Sequence, residues 1–457
     1  MSTTVRGARA LAIPRPPHRW WGELALGAAF CSLLVVVALW VAGRGLQSMT
    51  GPGGALTSLG RLTGLVSADL LLVQILLMAR IPWVERWFGL DTLARRHRLV
   101  GFWSFWLMVT HVGLITFGYA ADQGTGVLGQ LWDLVLGYPG MLLATAGTLA
   151  LIVVVVLSVR AARRRLRYES WHLIHLYAYL GVALALPHQL WTGADFASPA
   201  AQAYWWSAYL GTLTAVLVFR VGTPLWRSWR HQLRVTAVVP EGPGVVSVHL
   251  TGQRLHELPV RAGQFFLWRF LDGPGWSRAH PYSLSAAPRV DALRITVKSL
   301  GDGSTRVAGL RPGTRVLVEG PYGAVTADRG QGGKSLLITA GVGITALRGL
   351  LDELPGGVTL LHRVRDRREV VFGRELDWYA ANRGLRLFLL EGPRGPGWLP
   401  AHMSAVDDAT ALRRMVPDLL AHDVFVCGPP AWMDAVRESL RTCGVPPDHI
   451  HTERFAW

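Results

Sequence analysis

Two apolar segments of the chain each carry a widely spaced pair of histidines. The first pair is His97 and His111, and the second pair is His175 and His188. An imidazole inside a bilayer is costly, because each ring nitrogen needs a partner that lipid does not supply. At about 1.5 Å of rise per residue, each pair covers about 20 Å of helix, so the two pairs have matched depths. This arrangement predicts two haem b groups, each held between two axial imidazoles.

The directions of the rings are less regular than their depths. On an ideal helix the first pair lies within about 40° of one face, whereas the members of the second pair are about 140° apart. Pro187 directly precedes His188 and could kink or unwind the helix there, which would turn the ring. His172 is a second candidate for the ligand nearest the start of this segment. Hydrogen-bonded or interfacial histidines without iron are the alternative interpretation.

Six apolar stretches are long enough to cross a membrane, for which about 20 residues are needed. They cover roughly 20–43, 60–80, 97–119, 139–159, 171–191 and 203–222. Arginines concentrate in every second loop, as in RAARRRLR at 160–167, whereas 121–138 has none. Because positive loops stay inside, we expect a multi-pass cell-membrane protein with both termini in the cytoplasm. The basic tail at 1–19 precedes a first helix that we expect to remain uncleaved.

The charge and cysteine content exclude other classes of function. A formal net charge of +16 can indicate nucleic-acid binding, but these arginines lie in loops beside apolar segments, where they determine topology. We therefore expect no nucleic-acid partner. The three cysteines, at positions 31, 427 and 443, follow neither a disulfide framework nor the spacing of a zinc site.

One carboxylate, Asp69, lies within the second apolar stretch. An ionisable residue in a membrane span is a functional candidate by default. The alternatives are that Asp69 neutralises a neighbouring arginine or accepts a hydrogen bond that packs helices together.

The character of the chain changes after about residue 224. Short β-rich runs separated by Gly and Pro turns at 224–328 predict an antiparallel β-barrel domain. From 329 to 457, buried runs such as SLLITAG and DVFVCG alternate with helical stretches, which predicts a doubly wound α/β nucleotide-binding domain. The predicted fold is therefore a six-helix transmembrane haem bundle at 20–223 followed by these two domains.

Three motifs follow one another in the predicted barrel. They are Arg278-Ala-His-Pro-Tyr-Ser-Leu-Ser285, Lys298-Ser-Leu-Gly-Asp-Gly-Ser-Thr305 and Gly320-Pro-Tyr-Gly323. Together they resemble the flavin-binding signature of the ferredoxin–NADP reductase superfamily, and the His-Pro-aromatic form is similar to its ferric reductase and NADPH oxidase branch. The resemblance implies bound FAD, with Tyr282 over one flavin face and Ser283 bonded to the ring edge. It implies further cofactor contacts from His280, Pro281, Lys298, Gly301, Gly303, Ser304 and Thr305.

The predicted α/β domain carries a glycine-rich turn and a cluster of arginines. Gly341, Gly343 and Thr345 lie between a strand and a helix, where glycines let the backbone approach a pyrophosphate. Arg363 and three further arginines follow the second strand, with no acidic residue right at its end. This pattern favours a 2′-phosphate, and hence NADPH over NADH. A solvated basic loop is the alternative.

Two motifs near the end of the chain resemble the catalytic part of the same superfamily. Cys427-Gly428-Pro429 is similar to a motif in which the cysteine lies near the nicotinamide. Glu453-Arg-Phe455 is similar to the family's chain ending, which implies that an aromatic ring covers the flavin. Trp457 could do the same.

The resemblance covers nearly all of the chain after the first twenty residues. It implies that electrons pass from cytoplasmic NADPH through FAD and two haem b groups to an acceptor outside the cytoplasm. Oxygen, giving superoxide, and ferric chelates are the candidate acceptors. The alternative hypothesis is a membrane-anchored flavin reductase that serves a cytoplasmic carrier without a transmembrane haem relay.

Overall fold

The computed structural model describes residues 20–163, 168–330 and 333–453. The chain divides into two compact units. One contains Arg19–Val84 and Thr92–Arg220, and the other contains Glu85–Asp91 and the chain from Val221 onward. The predicted basic tail at 1–19 and part of the predicted basic loop, 164–167, lie outside the described residues.

The first unit consists of long apolar helices. Six helices of the described chain are long and apolar enough to cross a membrane, which confirms the expected number of spans. In chain order the helices are α1 (Trp20–Ala42), α2 (Gly51–Met78), α3 (Pro82–Phe88), α4 (Leu90–Gln123), α5 (Val127–Gly137), α6 (Met141–Ser158), α7 (Arg160–Arg163), α8 (Tyr168–Thr192) and α9 (Pro199–Ala215). A π-helical segment, Val216–Gly222, and α10 (Thr223–His231) follow α9 directly.

The second span begins earlier than the sequence pattern indicates. Helix α2 starts at Gly51 rather than near residue 60, within a glycine-rich stretch. Glycine weakens an isolated helix, but three of these glycines face α4, and a β-carbon at Gly53 would lie 2.9 Å from the carbonyl oxygen of Gly118. A β-carbon at Gly60 would lie 3.0 Å from Ile115, and one at Gly64 would lie 2.5 Å from the His111 ring. Small residues let membrane helices approach closely, so packing overrides propensity here.

Helices α6 and α8 also meet through glycines. A β-carbon at Gly147 would lie 2.6 Å from the carbonyl oxygen of Gly181, and one at Gly181 would lie 2.9 Å from Cγ of Leu151. The two backbones are therefore in direct contact, as in other small-residue pairs of membrane helices. This contact fixes α8, which carries two of the four predicted iron ligands.

Asp69 links three helices of the first unit. Its buried carboxylate accepts hydrogen bonds from Ser32 of α1 at 2.5 Å and from Tyr204 of α9 at 2.7 Å. No arginine pairs with it among the described residues. The geometry is that of the helix-packing interpretation. The apolar core around this link contains Val36, Trp40, Leu65, Ala68, Leu72, Phe196, Ala201 and Trp205.

The second unit begins with two antiparallel sheets. The strands are β1 (Arg234–Gly242), β2 (Val245–Thr251), β3 (Phe265–Phe270), β4 (His280–Ser283), β5 (Ala292–Lys298) and β6 (Val316–Tyr322), with α11 (Asp302–Arg306) between the last two. Their orders are β1-β2-β5 and β4-β3-β6, and the two sheets share one apolar core. The sequence pattern identified five of these strands. It missed β4, because four residues that include Pro281 give no strand signal.

A parallel sheet follows, as the sequence predicts. Its strands are β7 (Lys334–Ala340), β8 (Val358–Val364), β9 (Arg386–Glu391), β10 (His422–Cys427) and β11 (Ile450–Glu453). The spatial order is β11-β10-β7-β8-β9, with apolar cores on both faces. The helices are α12 (Ile344–Arg348), α13 (Leu350–Glu353), α14 (Gly373–Arg383), α15 (Asp408–Met415) and α16 (Pro430–Thr442). The order reverses between β7 and β10, where open parallel sheets bind ligands.

The contact between α6 and α8 predicts a stability effect. Gly181→Leu would force a side chain against Leu151 and should lower the free energy of unfolding by about 1–3 kcal/mol, the usual cost of overpacking. The measurement is the thermal unfolding temperature in detergent. Gly211→Leu in α9 is the control, because a β-carbon there meets nothing within 4 Å. Equal melting temperatures for the two variants would refute the proposed contact.

His362 of β8 predicts a pH effect on stability. It is fully buried with Nδ1 2.7 Å from the hydroxyl of Thr339, and burial lowers its pKa to about 4. The unfolded chain binds this proton near the ordinary pKa of about 6.5, so folded stability is lost as the pH falls from about 6.5 toward 4. Between about pH 7.5 and pH 5 the loss from this residue should be about 2 kcal/mol. His362→Asn should flatten the pH dependence of the melting temperature, whereas an identical slope would contradict the prediction.

Candidate functional site

The structure brings the four membrane histidines together in the predicted pairs. The ring centroids of His97 and His175 are 5.9 Å apart. His111 and His188 are close enough to interact electrostatically. One pair lies toward each end of α4 and α8, so each pair could hold one planar group between two imidazoles.

The two histidines of α4 direct Nδ1 toward backbone carbonyls of α2. His97 Nδ1 lies 3.0 Å from the carbonyl oxygen of Gln74, and His111 Nδ1 lies 2.7 Å from that of Gly60. A carbonyl can only accept, so Nδ1 carries the proton and Nε2 keeps its lone pair. Gly64 leaves room for the His111 ring, as the 2.5 Å approach of a built β-carbon shows.

The two histidines of α8 follow the same pattern. His175 Nδ1 lies 3.2 Å from the hydroxyl of Ser158, and His188 Nδ1 contacts the carbonyl of Ala185. The helix remains regular through Pro187, so the unwinding considered from the sequence does not occur. The imidazole instead bends back toward its own helix.

His175, rather than His172, faces His97 of α4. The ring centroid of His175 lies 5.9 Å from that of His97, whereas the ring of His172 contacts Trp171, at 6.4 Å between centroids. Partners that hold Nδ1 and leave Nε2 for a metal are the usual surroundings of an iron- or zinc-binding histidine. The donor set of the four rings therefore fits two irons with two imidazoles each.

The flavin motif of the second unit forms strand β4. The backbone carbonyl of Tyr282 accepts a hydrogen bond from Trp268 Nε1 at 2.9 Å, and the His280 ring stacks on Tyr282 at 6.2 Å. Burial raises the pKa of Tyr282, so its phenol stays neutral. Ser283 is buried, and its hydroxyl has no hydrogen-bond partner within the described part of the chain. A buried hydroxyl of this kind needs a polar partner, which the edge of a flavin would supply.

The glycine-rich turn lies against the same strand. A β-carbon at Gly303 would lie 2.3 Å from the ring of His280, so only glycine fits there. The Ser304 hydroxyl accepts from the backbone N–H of Gly301 at 3.1 Å, and the Thr305 hydroxyl donates to its carbonyl at 3.0 Å. These hydroxyls close the turn, which leaves cofactor contacts to the glycine backbone. Lys298 ends β5 and Pro281 lies within β4.

A cleft beside this turn was not found from the sequence. Its lining includes Trp276, Arg278, His280, Gly303 and Arg306. The guanidinium of Arg278 suits phosphate, whereas that of Arg306 is paired with Asp272 at 2.8 Å, and the half-exposed indole offers a surface on which a base could stack. The sequence did contain a signal for this cleft, because a tryptophan and arginines lie beside the flavin signature and the glycine-rich turn.

The predicted nucleotide loop lies where the strand order reverses. Gly341 has a φ of +53°, which favours glycine. A β-carbon at Gly343 would lie 2.4 Å from the carbonyl oxygen of Cys427, so the loops after β7 and β10 touch. Thr345 donates to the carbonyl of Val342 at 2.9 Å. These loops have the backbone approach that a dinucleotide phosphate requires.

The loop after β10 continues into α16. A β-carbon at Gly428 would lie 2.8 Å from the ring of Trp432, so a side chain has no room there. Pro429 occupies the position directly before α16. The motif therefore joins strand and helix by a tight backbone turn.

Cys427 and Glu453 are neighbours across the last two strands. They form a register pair of the parallel β10–β11 ladder. Burial, and secondarily the charge of Glu453, raise the pKa of the Cys427 thiol, which stays protonated. A β-carbon at Gly323 would lie 3.3 Å from the Glu453 carboxylate, so this residue also borders the Gly-Pro turn of β6. Phe455 and Trp457 lie outside the described residues.

Arg363 lies within the sheet rather than on its surface. Its guanidinium is buried and donates to the carbonyls of Val364 and Leu390. Asp366 follows the strand and accepts a hydrogen bond from the next turn of backbone at 2.8 Å. The other three arginines of this stretch are exposed: Arg365, Arg367 and Arg368.

Comparison with known proteins covers both units. The family model "Ferric reductase like transmembrane component" matches residues 63–186. Ferredoxin–NADP reductase B of Sorangium cellulosum is 30% identical over 241 residues, which is 49% of this chain and 97% of that protein. The ferredoxin reductase component of 3-ketosteroid-9-alpha-monooxygenase from Mycobacterium tuberculosis is 34% identical over 48% of this chain, which spans only 59% of that relative.

A solved ferredoxin NADP+ reductase from Neisseria gonorrhoeae, with bound FAD and NADP, is 18% identical over 49% of this chain and 98% of its own, with a TM-score of 0.41. The family model covers part of the apolar bundle, and the ferredoxin–NADP reductase relative matches about half of the chain. The chain is therefore a multi-pass membrane oxidoreductase. Through its reductase module it belongs to the ferredoxin–NADP reductase family, and this module is joined to a ferric reductase-like transmembrane component.

Proposed function

We propose that the protein passes electrons from cytoplasmic NADPH through FAD and two haem b groups to an acceptor outside the cytoplasm. The observation that carries this proposal is the orientation of the four histidines. They are paired by depth, and each holds Nδ1 against a protein oxygen while Nε2 is left available. Four packing histidines in lipid would leave four acceptor nitrogens unsatisfied, whereas four iron ligands leave none.

The two haem sites would use the pairs that the structure forms. His97 and His175 would hold one group, and His111 and His188 the other. Haem b in such sites supplies one-electron transfer at two depths in the membrane. The carbonyls of α2 would fix the ring orientation of the α4 ligands and raise their basicity.

The flavin site would be formed by β4 and the glycine-rich turn. Tyr282 would cover one face of the ring, and the unpartnered hydroxyl of Ser283 would bond its edge. His280 and the backbone at Gly301 and Gly303 would bind the diphosphate. Bound FAD supplies the exchange between hydride and single-electron transfer.

The nicotinamide would lie beside Cys427 and Glu453, and the diphosphate would lie over Gly341 and Gly343. Because Arg363 donates to backbone carbonyls of the sheet, the exposed arginines that follow it would bind a 2′-phosphate. NADPH therefore remains the proposed donor.

The arrangement in the membrane follows from loop charge. Arginines cluster between the second and third spans, at positions 80, 86, 95, 96 and 98, and after the sixth span. The positive-inside rule then places both termini, and with them the reductase module, in the cytoplasm. The outer histidine pair would lie near the opposite surface, where oxygen or a ferric chelate would accept the electrons.

The relatives favour one second candidate. The M. tuberculosis relative is by its name a reductase component of a monooxygenase. The flavin module here could likewise serve a carrier in the cytoplasm, with the bundle acting only as an anchor. The two candidates differ in whether the bundle binds haem.

Haem content tests the relay. Wild type should contain about two b-type haems per chain, and His175→Ala about one, because each iron needs both axial ligands. His172→Ala is the matched control on the same helix and should keep both. The readouts are the pyridine haemochrome assay and the reduced-minus-oxidised spectrum with NADPH as reductant. Haem-free protein whose flavin NADPH still reduces would overturn the relay and leave the second candidate. If the relay holds, superoxide yield against ferric-chelate reduction identifies the acceptor.

Nucleotide preference tests the assignment of the 2′-phosphate. The double variant Arg365→Ala/Arg368→Ala should raise KM for NADPH about tenfold, since a charged hydrogen bond contributes about 1.5–3 kcal/mol. KM for NADH should stay within about twofold. Arg383→Ala, at the end of α14, is the control and should change neither constant. A parallel loss for both nucleotides would favour the solvated-loop interpretation.

A further inference from the structure

The C-terminal strand of the second unit is attached to the sheet around one buried carboxylate. Asp423 of β10 is 2% exposed. Its Oδ1 lies 3.3 Å from Nδ1 of His449 and 3.9 Å from Nε2 of His451. His449 directly precedes β11 and His451 lies within it. The carboxylate therefore faces β11 from the adjacent strand, β10. None of these three residues was singled out from the sequence.

Strand β11 is short, and its Ile450 packs against the apolar core on one face of the sheet. Among the described residues it is a four-residue edge strand, from Ile450 to Glu453, paired with β10. All four of its residues are half-buried. The His451 ring packs on Phe425 at 4.9 Å between centroids, which adds one apolar contact. Short strands are marginal on their own, so side-chain contacts at the amino end would add to the pairing of β11.

The strand carries Glu453 to the nicotinamide side of the sheet. The register runs from Val424 opposite Ile450 to Cys427 opposite Glu453. Three residue steps of about 3.3 Å therefore separate the anchored end from Glu453. Loss of pairing at the amino end would displace this carboxylate from Cys427.

The surroundings of the anchor are charged on several sides. Arg329, from the turn before β7, and Asp448, from the turn before β11, act on His451 together with Asp423 and His449. A β-carbon at Gly330 would lie 3.2 Å from Oδ2 of Asp423, so the turn before β7 covers the carboxylate closely. Burial lowers the pKa of His451 to about 4, so this ring stays neutral near pH 7.

We propose that Asp423, with His449 and His451, is a positioning group that holds β11 in register and thereby sets Glu453 beside Cys427 for hydride transfer. The proposal rests on the proposed function for its kinetic consequence, but not for its structural one. Asp423 touches no reacting atom and acts only through the strand. Asp423 lies near the amino end of β10, four residues before Cys427.

The test uses the full chain in detergent with FAD bound. Asp423→Asn should speed amide hydrogen exchange in 450–453 by about tenfold, while β7 and β8 keep wild-type protection. The rate constant for flavin reduction by NADPH should fall about tenfold, with KM for NADPH within about twofold, because only the reacting geometry changes. Asp418→Asn is the matched control. This substitution removes an exposed carboxylate that pairs with Lys334 at the amino end of the same sheet's strands. It should change neither readout.

Two results for Asp423→Asn would overturn the proposal. One is a wild-type rate of amide hydrogen exchange in 450–453, and the other is an equal acceleration of exchange over the whole sheet. His449→Gln, at the more exposed end of the cluster, carries the same test if Asp423→Asn does not fold. If NADPH fails to reduce wild-type flavin, the proposed function fails, while the exchange data still decide the anchor.

Discussion

A polar side chain in a membrane must find its partner inside the protein, and much of the first unit follows from this constraint. Ring nitrogens of His97 and His111 are held by carbonyls of α2, and Ser67 and Ser104 exchange hydrogen bonds with each other's backbone carbonyls at 2.7 and 3.0 Å. Such contacts require α2 and α4 to lie close together. The glycines of α2 make that approach possible, so a stretch that looks too flexible for a helix becomes the support of the candidate iron ligands.

Sequence reasoning succeeded where one physical requirement dominates. An apolar run must be about 20 residues long to cross a bilayer, so six spans could be counted. Sequence reasoning failed where an element is stabilised by packing against a helix that is distant in the sequence. The start of α2 at Gly51 depends on packing against α4, which no window of local sequence contains. The sequence also could not identify the backbone carbonyl that contacts each histidine, because every residue carries the same backbone acceptor.

The reductase module shows the same division. Gly303 and Gly343 could be placed from their motifs, since a backbone that approaches another group closely tolerates only glycine. Strands β4 and β11 were missed, because four residues hold too little periodicity and their pairing depends on distant partners. The role of Arg363 changed for a related reason. Its position at a strand end was correct, but the sheet uses its guanidinium for its own carbonyls.

The placement of two histidines on one continuous helix also works as a ruler. His97 and His111 are separated by α4 itself, at about 1.5 Å per residue, and no loop intervenes. The distance between the two candidate metal sites is therefore fixed by one continuous helix. A thicker or thinner bilayer would change the tilt of the helix and the lipid around it. The separation of the two histidine levels, which the proposed relay would use, would stay the same.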